Sequence, residues 1–343
     1  MPARLPISAL LLAGALLGLT VYVLAYGQIT LSVGEALAAL FGSAEDETTG
    51  QIVRDIRLPR VVAAVLAGAA LGIGGVLMQA LFRNPVADAW SLGLLAGGQL
   101  GVALTVTAAA FAGPAAISFL TFFAGPSITL AAAGGVALAA IAMLALGRRV
   151  GAITLLVVGL MLGLTAQGLT SVLLHFAARA GGRVYGGWSD ASFAGVEPAD
   201  LPWLAAPILL GLALAVLTAK PLTSLLLGEA YARSLGVNVG ALRKLALAAT
   251  VLLVAPVVAF CGPVSFIGLI VPHFARALAG TARIMPLLPI AALAGALLAL
   301  AGDAIVHQPW EQHFLHLNAI LAIVGAPVVI LILVFSPALR SWR

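Results

Sequence analysis

Long apolar runs separated by short polar breaks organise the whole chain. The clearest case is residues 54–101. Arg54, Asp55, Arg57 and Arg60 precede 18 residues without charge, Val61 to Met78, followed by Gln79, the break Arg83-Asn84-Pro85 and a second apolar run from about Trp90. About 20 apolar residues suffice to cross a bilayer as a helix. Pro59 suits a helix start, where its missing N–H would be unpaired anyway, and Pro85 pushes Asn84 out of the α region and ends the helix. The pattern predicts a membrane hairpin with a tight polar turn. Gly68 and Gly72, and likewise Gly97 and Gly101, are small residues four apart, which lets helix backbones approach closely. A packed helical bundle is expected.

The same reading along the chain predicts an all-α polytopic membrane protein of about ten spans, near 7–26, 61–81, 91–112, 127–146, 153–177, 203–219, 244–261, 264–279, 286–304 and 318–335. The run from Ile7 to Tyr26 is longer than a signal-peptide core and is read as the first span. With the N-terminus inside, twelve of the 17 Lys and Arg fall on cytoplasmic loops and span ends. Arg54, Arg57, Arg60, Arg179 and Arg183 fall outside. The positive-inside rule then places both termini in the cytoplasm. Residues 262–272 carry two prolines and two glycines in an apolar run, which predicts a broken helix. Its freed backbone groups must be buried in protein or face a wet cavity. Asn84-Pro85-Val86 and Gly262-Pro263-Val264 read as counterparts in an inverted repeat.

Composition sharpens this. The chain of 343 residues is 62% hydrophobic and 8% charged, with a mean hydropathy of +1.16. Soluble domains carry about 25% charged residues, so a large soluble protein is excluded. One cysteine, Cys261, rules out an internal disulfide and reads as a small buried hydrophobe. The acidic run Glu45-Asp46-Glu47 reads as a solvated loop. Neither Lys220 nor Lys244 follows a Gly-x-x-x-x-Gly, so the chain has no P-loop, and ATP-driven transport would need a separate ATPase. His307, His313 and His316 lie in one outer stretch with Glu311. They could ligate zinc or iron, although aromatic neighbours favour an interfacial helix. The lone residues His175 and His273 read as buried, hydrogen-bonded groups. Charges are nearly absent from span centres, against the pattern of proton-coupled transporters.

Arg57-Leu58-Pro59-Arg60, Gly68-Ala69-Ala70-Leu71-Gly72, Met78-Gln79, Arg83-Asn84-Pro85-Val86-Ala87 and Leu92-Gly93 form an ordered series. Gly262-Pro263-Val264-Ser265-Phe266-Ile267-Gly268-Leu269, Pro272-His273 and Asp303 extend it. The series resembles the permease subunits of bacterial ABC importers for ferric siderophores, haem and cobalamin. The resemblance implies one transmembrane permease domain over residues 1–343 in the cytoplasmic (inner) membrane, with a bundle like that of the cobalamin permeases. It implies a second permease copy or a sister permease, two ATPase subunits and a periplasmic binding protein. No cofactor is expected on this chain, ATP and Mg²⁺ belonging to the ATPase.

Roles follow by position. Arg57 and Arg60 match the outer arginines that pair with carboxylates of the binding protein, and His307 stands where cobalamin permeases have a further Arg. Residues 221–240 match the segment that couples to the ATPase, with Glu229, Ala230, Arg233 and Gly236 at its helix and stop. Gly151, Ala152 and Thr154 lie near the cytoplasmic mouth of the helix lining the path. Thr165 and Gln167, with Thr170 and Ser171, would suit a bulky cargo. Residues 178–202 match the outer gate loop, including Trp188 and Ser192. Ala191 replaces a usual Gly there, and the acid Asp190 departs from the pattern. A ferric siderophore is the cargo expected first. An ion-coupled secondary transporter of a small metal chelate is the alternative, and a membrane metalloenzyme using the outer histidines is a third reading.

Overall fold

The computed structural model describes residues 4–27, 29–43, 46–122, 124–146, 150, 152–177, 185–186, 188–308 and 315–335. Fourteen helices are named here: α1 (Arg4–Ala25), α2 (Val33–Leu40), α3 (Glu47–Gln51), α4 (Leu58–Phe82), α5 (Leu94–Ala112), α6 (Pro114–Phe122), α7 (Ala124–Leu146), α8 (Ala152–Phe176), α9 (Leu201–Leu226), α10 (Glu229–Ser234), α11 (Val239–Cys261), α12 (Ile267–Ala279), α13 (Ile284–Val306) and α14 (Leu317–Phe335). Eight helices among the described residues are long and apolar enough to cross a membrane. The helix α12 and the first part of α14, Leu317–Pro327, are shorter apolar helices. The expected ten spans correspond to these.

The helix α4 is the axis of the bundle. Ala70 to Phe82 is buried without a break, as expected of a helix that is apolar all round. It packs on α13, α11, α9 and α12, while α5 packs on α7 and α8. The small-residue pairs are where backbones meet. A Cβ on Gly68 would lie 2.2 Å from the carbonyl oxygen of Gly295 in α13, and one on Gly101 would lie 2.2 Å from that of Ala131 in α7.

Pro59 lies in the first turn of α4, as expected, but α4 continues an earlier helical stretch. The turn Ile52–Arg57 is π-helical and joins α3 to α4, giving one helical stretch, Glu47–Phe82, of 36 residues. The wide turn falls just where Pro59 can supply no N–H. The first outer loop is more ordered than a solvated loop. Ser32 and Glu35 form a capping box at α2. The Glu35 carboxyl is held below its usual pKa by the Ser32 N–H and then the Ser32 hydroxyl. Asp46 caps α3 by accepting from the N–H groups of Thr48 and Thr49, and Glu45 lies outside the described residues.

Two connections also differ from expectation. The turn after α4 is not tight, since α5 starts only at Leu94. Within it Asp88 is buried and accepts from the Ser91 N–H at 2.7 Å. Burial pushes its carboxyl pKa up, opposed by the hydrogen bonds from Ser91. The helix α9 runs to Leu226, so the coupling stretch 221–240 begins inside a span helix. The helix break at 262–266 is sealed by Asn318 at the head of α14. Its Oδ1 accepts from the Ser265 N–H at 3.0 Å, and its Nδ2 donates to the Pro263 carbonyl at 2.9 Å. This meets the requirement that backbone freed at membrane depth be satisfied by protein. Pro272, by contrast, sits inside α12.

Candidate functional site

At the outer end of the bundle the two expected docking arginines part company. Arg57 is only 6% exposed. Its Nη1 donates to the carbonyls of Leu24 (2.7 Å) and Ala25 (2.9 Å), and its Nη2 donates to that of Ile29. The Ala25 carbonyl also accepts from the Leu31 N–H at 2.9 Å, and a cation favours a helix C-terminus, whose last carbonyls lack intrahelical partners. Arg57 is therefore a clamp on the end of α1, its guanidinium taken up by these backbone carbonyls. Arg60 Nε donates to Asp303 Oδ2 at 2.7 Å. His307 Nδ1 lies 3.1 Å from Asp303 Oδ1 and 3.0 Å from the Asp303 carbonyl oxygen. Arg60 and His307, 247 positions apart by number, thus meet on one buried carboxylate. Arg54 is exposed on the preceding turn.

The gate-loop residues dock on the end of α11. The Trp188 Nε1–H donates to the Ala259 carbonyl at 3.0 Å, and the Ser192 N–H donates to the Cys261 carbonyl at 2.9 Å. Phe193 is fully buried. Tyr185 packs against Trp188, and burial pushes its pKa up to about 12. Ala191 adopts φ 53°, the left-handed conformation that favours glycine, where the family pattern has its usual Gly. Cys261 is buried, as expected. Gly262 has φ +76°, and a Cβ there would lie 2.3 Å from the Trp188 carbonyl oxygen. Gly262→Ala is therefore expected to weaken docking of the loop by about 1–3 kcal/mol. In a Ser192→Cys background it should expose the new thiol to a membrane-impermeant reagent. Unchanged labelling would show that the loop is held elsewhere.

The helix α8 uses one face for contact and leaves the other bare. Gly159 and Gly163 pack against Leu92 and Gly93. Thr154, Thr165, Gln167 and Ser171 are all exposed. Thr154, Met161, Thr165 and Val172 recur at helical spacing on the bare face. Thr170 differs from its neighbours: it is 6% exposed and turns toward the bundle. The side chain of Ala152 and all of Gly151 lie outside the described residues.

At the inner end, α10 is held to α11 by Glu229, which accepts from Arg233 at 3.3 Å and from Arg243. Its stop is as expected. Gly236 has φ +80°, its N–H donates to the Arg233 carbonyl, and the Val237 N–H donates to that of Ala232. This is a Schellman cap. Ala230 is exposed, and so are three apolar residues on and beside α10: Leu227 before it, Tyr231 within it and Leu235 at its C-cap. Nearby, Arg276 donates to the Gln79 side-chain oxygen and His273 Nε2 lies 2.9 Å from the Pro85 carbonyl oxygen, tying α12 to the end of α4. His273 is thus buried and bonded as expected, whereas His175 is exposed against Phe176, contrary to expectation. Met78-Gln79 and Pro272-His273 were visible as motifs, but not their contact.

The outer histidines do not converge among the described residues. His307 turns to Asp303, and His316 lies 3.8 Å from Asp190. His313 and Glu311 lie outside the described residues. Among the described residues no group of three His, Cys, Asp or Glu side chains could hold a metal ion.

Comparison with known proteins places this architecture. The profile of the FecCD transport family matches residues 13–335. The chain is 35% identical over 289 residues to the vitamin B12 import system permease protein BtuC of Klebsiella pneumoniae, 84% of each chain being covered. It is 32% identical over 331 residues to the ferric enterobactin transport system permease protein FepG of Escherichia coli, covering 96% of each. A solved structure of a metal-chelate type ABC transporter, described as an inward-facing conformation, matches with a TM-score of 0.81 at 25% identity, covering 96% of this chain and 99% of that one.

Proposed function

Because the chain belongs to the FecCD transport family, we propose that it is the permease through which an ATP-driven importer carries a ferric siderophore, or a haem or cobalamin chelate, across the bacterial inner membrane. It is a transport subunit rather than an enzyme. The observation that carries the mechanism is the exposed apolar patch of Leu227, Tyr231 and Leu235 on and beside α10. An uncovered apolar patch marks an interaction surface. Glu229 and the Gly236 cap hold α10 against α11, as a lever needs to be. An ATPase subunit carrying ATP and Mg²⁺ docks there. The exposed face of α8 lines a path shared with a second permease copy. The binding protein delivers cargo at the outer end, where Arg54 is exposed and Arg60 and His307 meet.

The test is reconstitution of the chain with its cognate ATPase and binding protein. ATP hydrolysis should rise when the binding protein carries ferric siderophore and stay basal with the other chelates. Stimulation by haem or cobalamin alone would move the cargo. Uptake driven by an ion gradient without an ATPase would replace the reading with a secondary transporter. Gly236→Pro removes an N–H and forbids φ +80°. It should leave ATP hydrolysis running with uptake lowered at least about tenfold. Uptake at the parent rate would exclude α10 as the coupling element.

A further inference from the structure

A cavity of about 430 Å³ opens between the ends of α4 and α7 and the starts of α8 and α11. Protein interiors leave few voids larger than one water, and this one is on the order of ten waters in size. Its walls include Phe82, Met143, Leu155 and Leu247, each no more than 6% exposed. Its rim carries Arg243 and Lys244 on the first turns of α11. Arg243 and Leu247 share a face one turn apart, so charge and apolar wall are stacked about 6 Å apart along the helix. Apolar walls do not suit a pool of water, and a cationic rim does not suit a bare hydrocarbon chain. A phosphate followed by its first acyl carbons fits both.

We propose that this crevice binds an anionic phospholipid of the cytoplasmic leaflet. The leaflet follows from charge, since Arg83, Lys220, Arg233, Arg243, Lys244 and Arg283 crowd this end of the bundle. Basic pockets between membrane helices on that side suit anionic headgroups. The dipole at the start of the 23-residue helix α11 adds to the attraction. Arg243 is shared with Glu229, which leaves Lys244 as the main contact. Lys244 is exposed and has no hydrogen bond or ion pair among the described residues. The crevice is separate from the path-lining surface. Leu155 faces it from the buried side of α8, while Thr154 faces away.

Native mass spectrometry of the full chain in detergent, supplied with phosphatidylglycerol, phosphatidylcholine or glycerol 3-phosphate, tests this. Phosphatidylglycerol should be retained several-fold over phosphatidylcholine, and free glycerol 3-phosphate should not be retained. Lys244→Gln should cut phosphatidylglycerol retention about fivefold, Lys244→Arg should preserve it, and Leu247→Trp should abolish it by filling the cavity. Equal retention of the two lipids, retention unchanged in Lys244→Gln, or binding of glycerol 3-phosphate alone would overturn the proposal. So would loss of the lipid on assembly with the ATPase, which would assign the crevice to a protein segment.

Discussion

Asp303→Ala is expected to destabilise the protein by about 3–5 kcal/mol, the usual loss when one partner of a buried ion pair is removed. The Asp303 side chain is 2% exposed, and that of Arg60, at 2.7 Å, is 12% exposed. Without the carboxylate the guanidinium stays desolvated with no counter-charge, and His307 loses its Oδ1 contact as well. The complementary variant, Arg60→Met, should cost a comparable amount. The pair Arg60→Met with Asp303→Leu should lose less than either alone, because no charge is left buried. Thermal unfolding in one detergent of the wild type, Arg60→Met, Asp303→Leu and their double variant supplies the cycle. A double variant as unstable as the sum of the singles would mean that the two side chains act independently. The same variants separate structure from docking. If Arg60 serves the binding protein only through Asp303, the stable double variant should bind it as weakly as the single ones.

The sequence carried the parts of this architecture that depend on local spacing. Gly68 and Gly72 are four apart whatever they face, so a close crossing was legible, but the facing residues Gly295 and Ala291 lie more than 200 positions away. The Gly236 stop was legible because a Schellman cap is set by a few consecutive residues. The capping box Ser32…Glu35 was equally local and went unread. Arg57 shows the opposite limit. Its ligands are backbone carbonyls of Leu24, Ala25 and Ile29, and a carbonyl has no signature in a sequence. The motif Arg57-Leu58-Pro59-Arg60 gave no sign that one arginine turns to α1 and the other to α13. His175 failed for a related reason. A lone histidine in an apolar run is ordinarily buried, and here packing leaves it exposed. The bare face of α8 and the apolar patch beside α10 became visible only once the neighbouring elements had been placed.

Gly75→Ala should be among the most damaging single-methyl changes in the chain, costing about 3 kcal/mol or more. A Cβ at this position would lie 1.9 Å from the carbonyl oxygen of Gly268, 2.7 Å from its carbonyl carbon and 2.9 Å from its Cα. All three are backbone atoms, so no rotamer change relieves the clash and α12 must move off α4. That movement would strain the ties from Gln79 to the Leu269 carbonyl and to Arg276, and from His273 to Pro85. The reverse substitution is predicted to be mild. A Cβ on Gly268 meets the Leu71 carbonyl oxygen at 3.3 Å and Asp88 Cβ at 3.7 Å, distances that a shift of a few tenths of an ångström absorbs. Gly268→Ala should therefore cost under about 1 kcal/mol. Neither residue has a positive φ, so backbone strain cannot blur the comparison. Thermal unfolding and the yield of monodisperse protein would read both. Equal losses in the two variants would place the closest point of the α4–α12 crossing elsewhere. A wild-type-like Gly75→Ala would mean that α12 can slide along α4 without loss, and that the break at 262–266 is softer than its Asn318 seal implies.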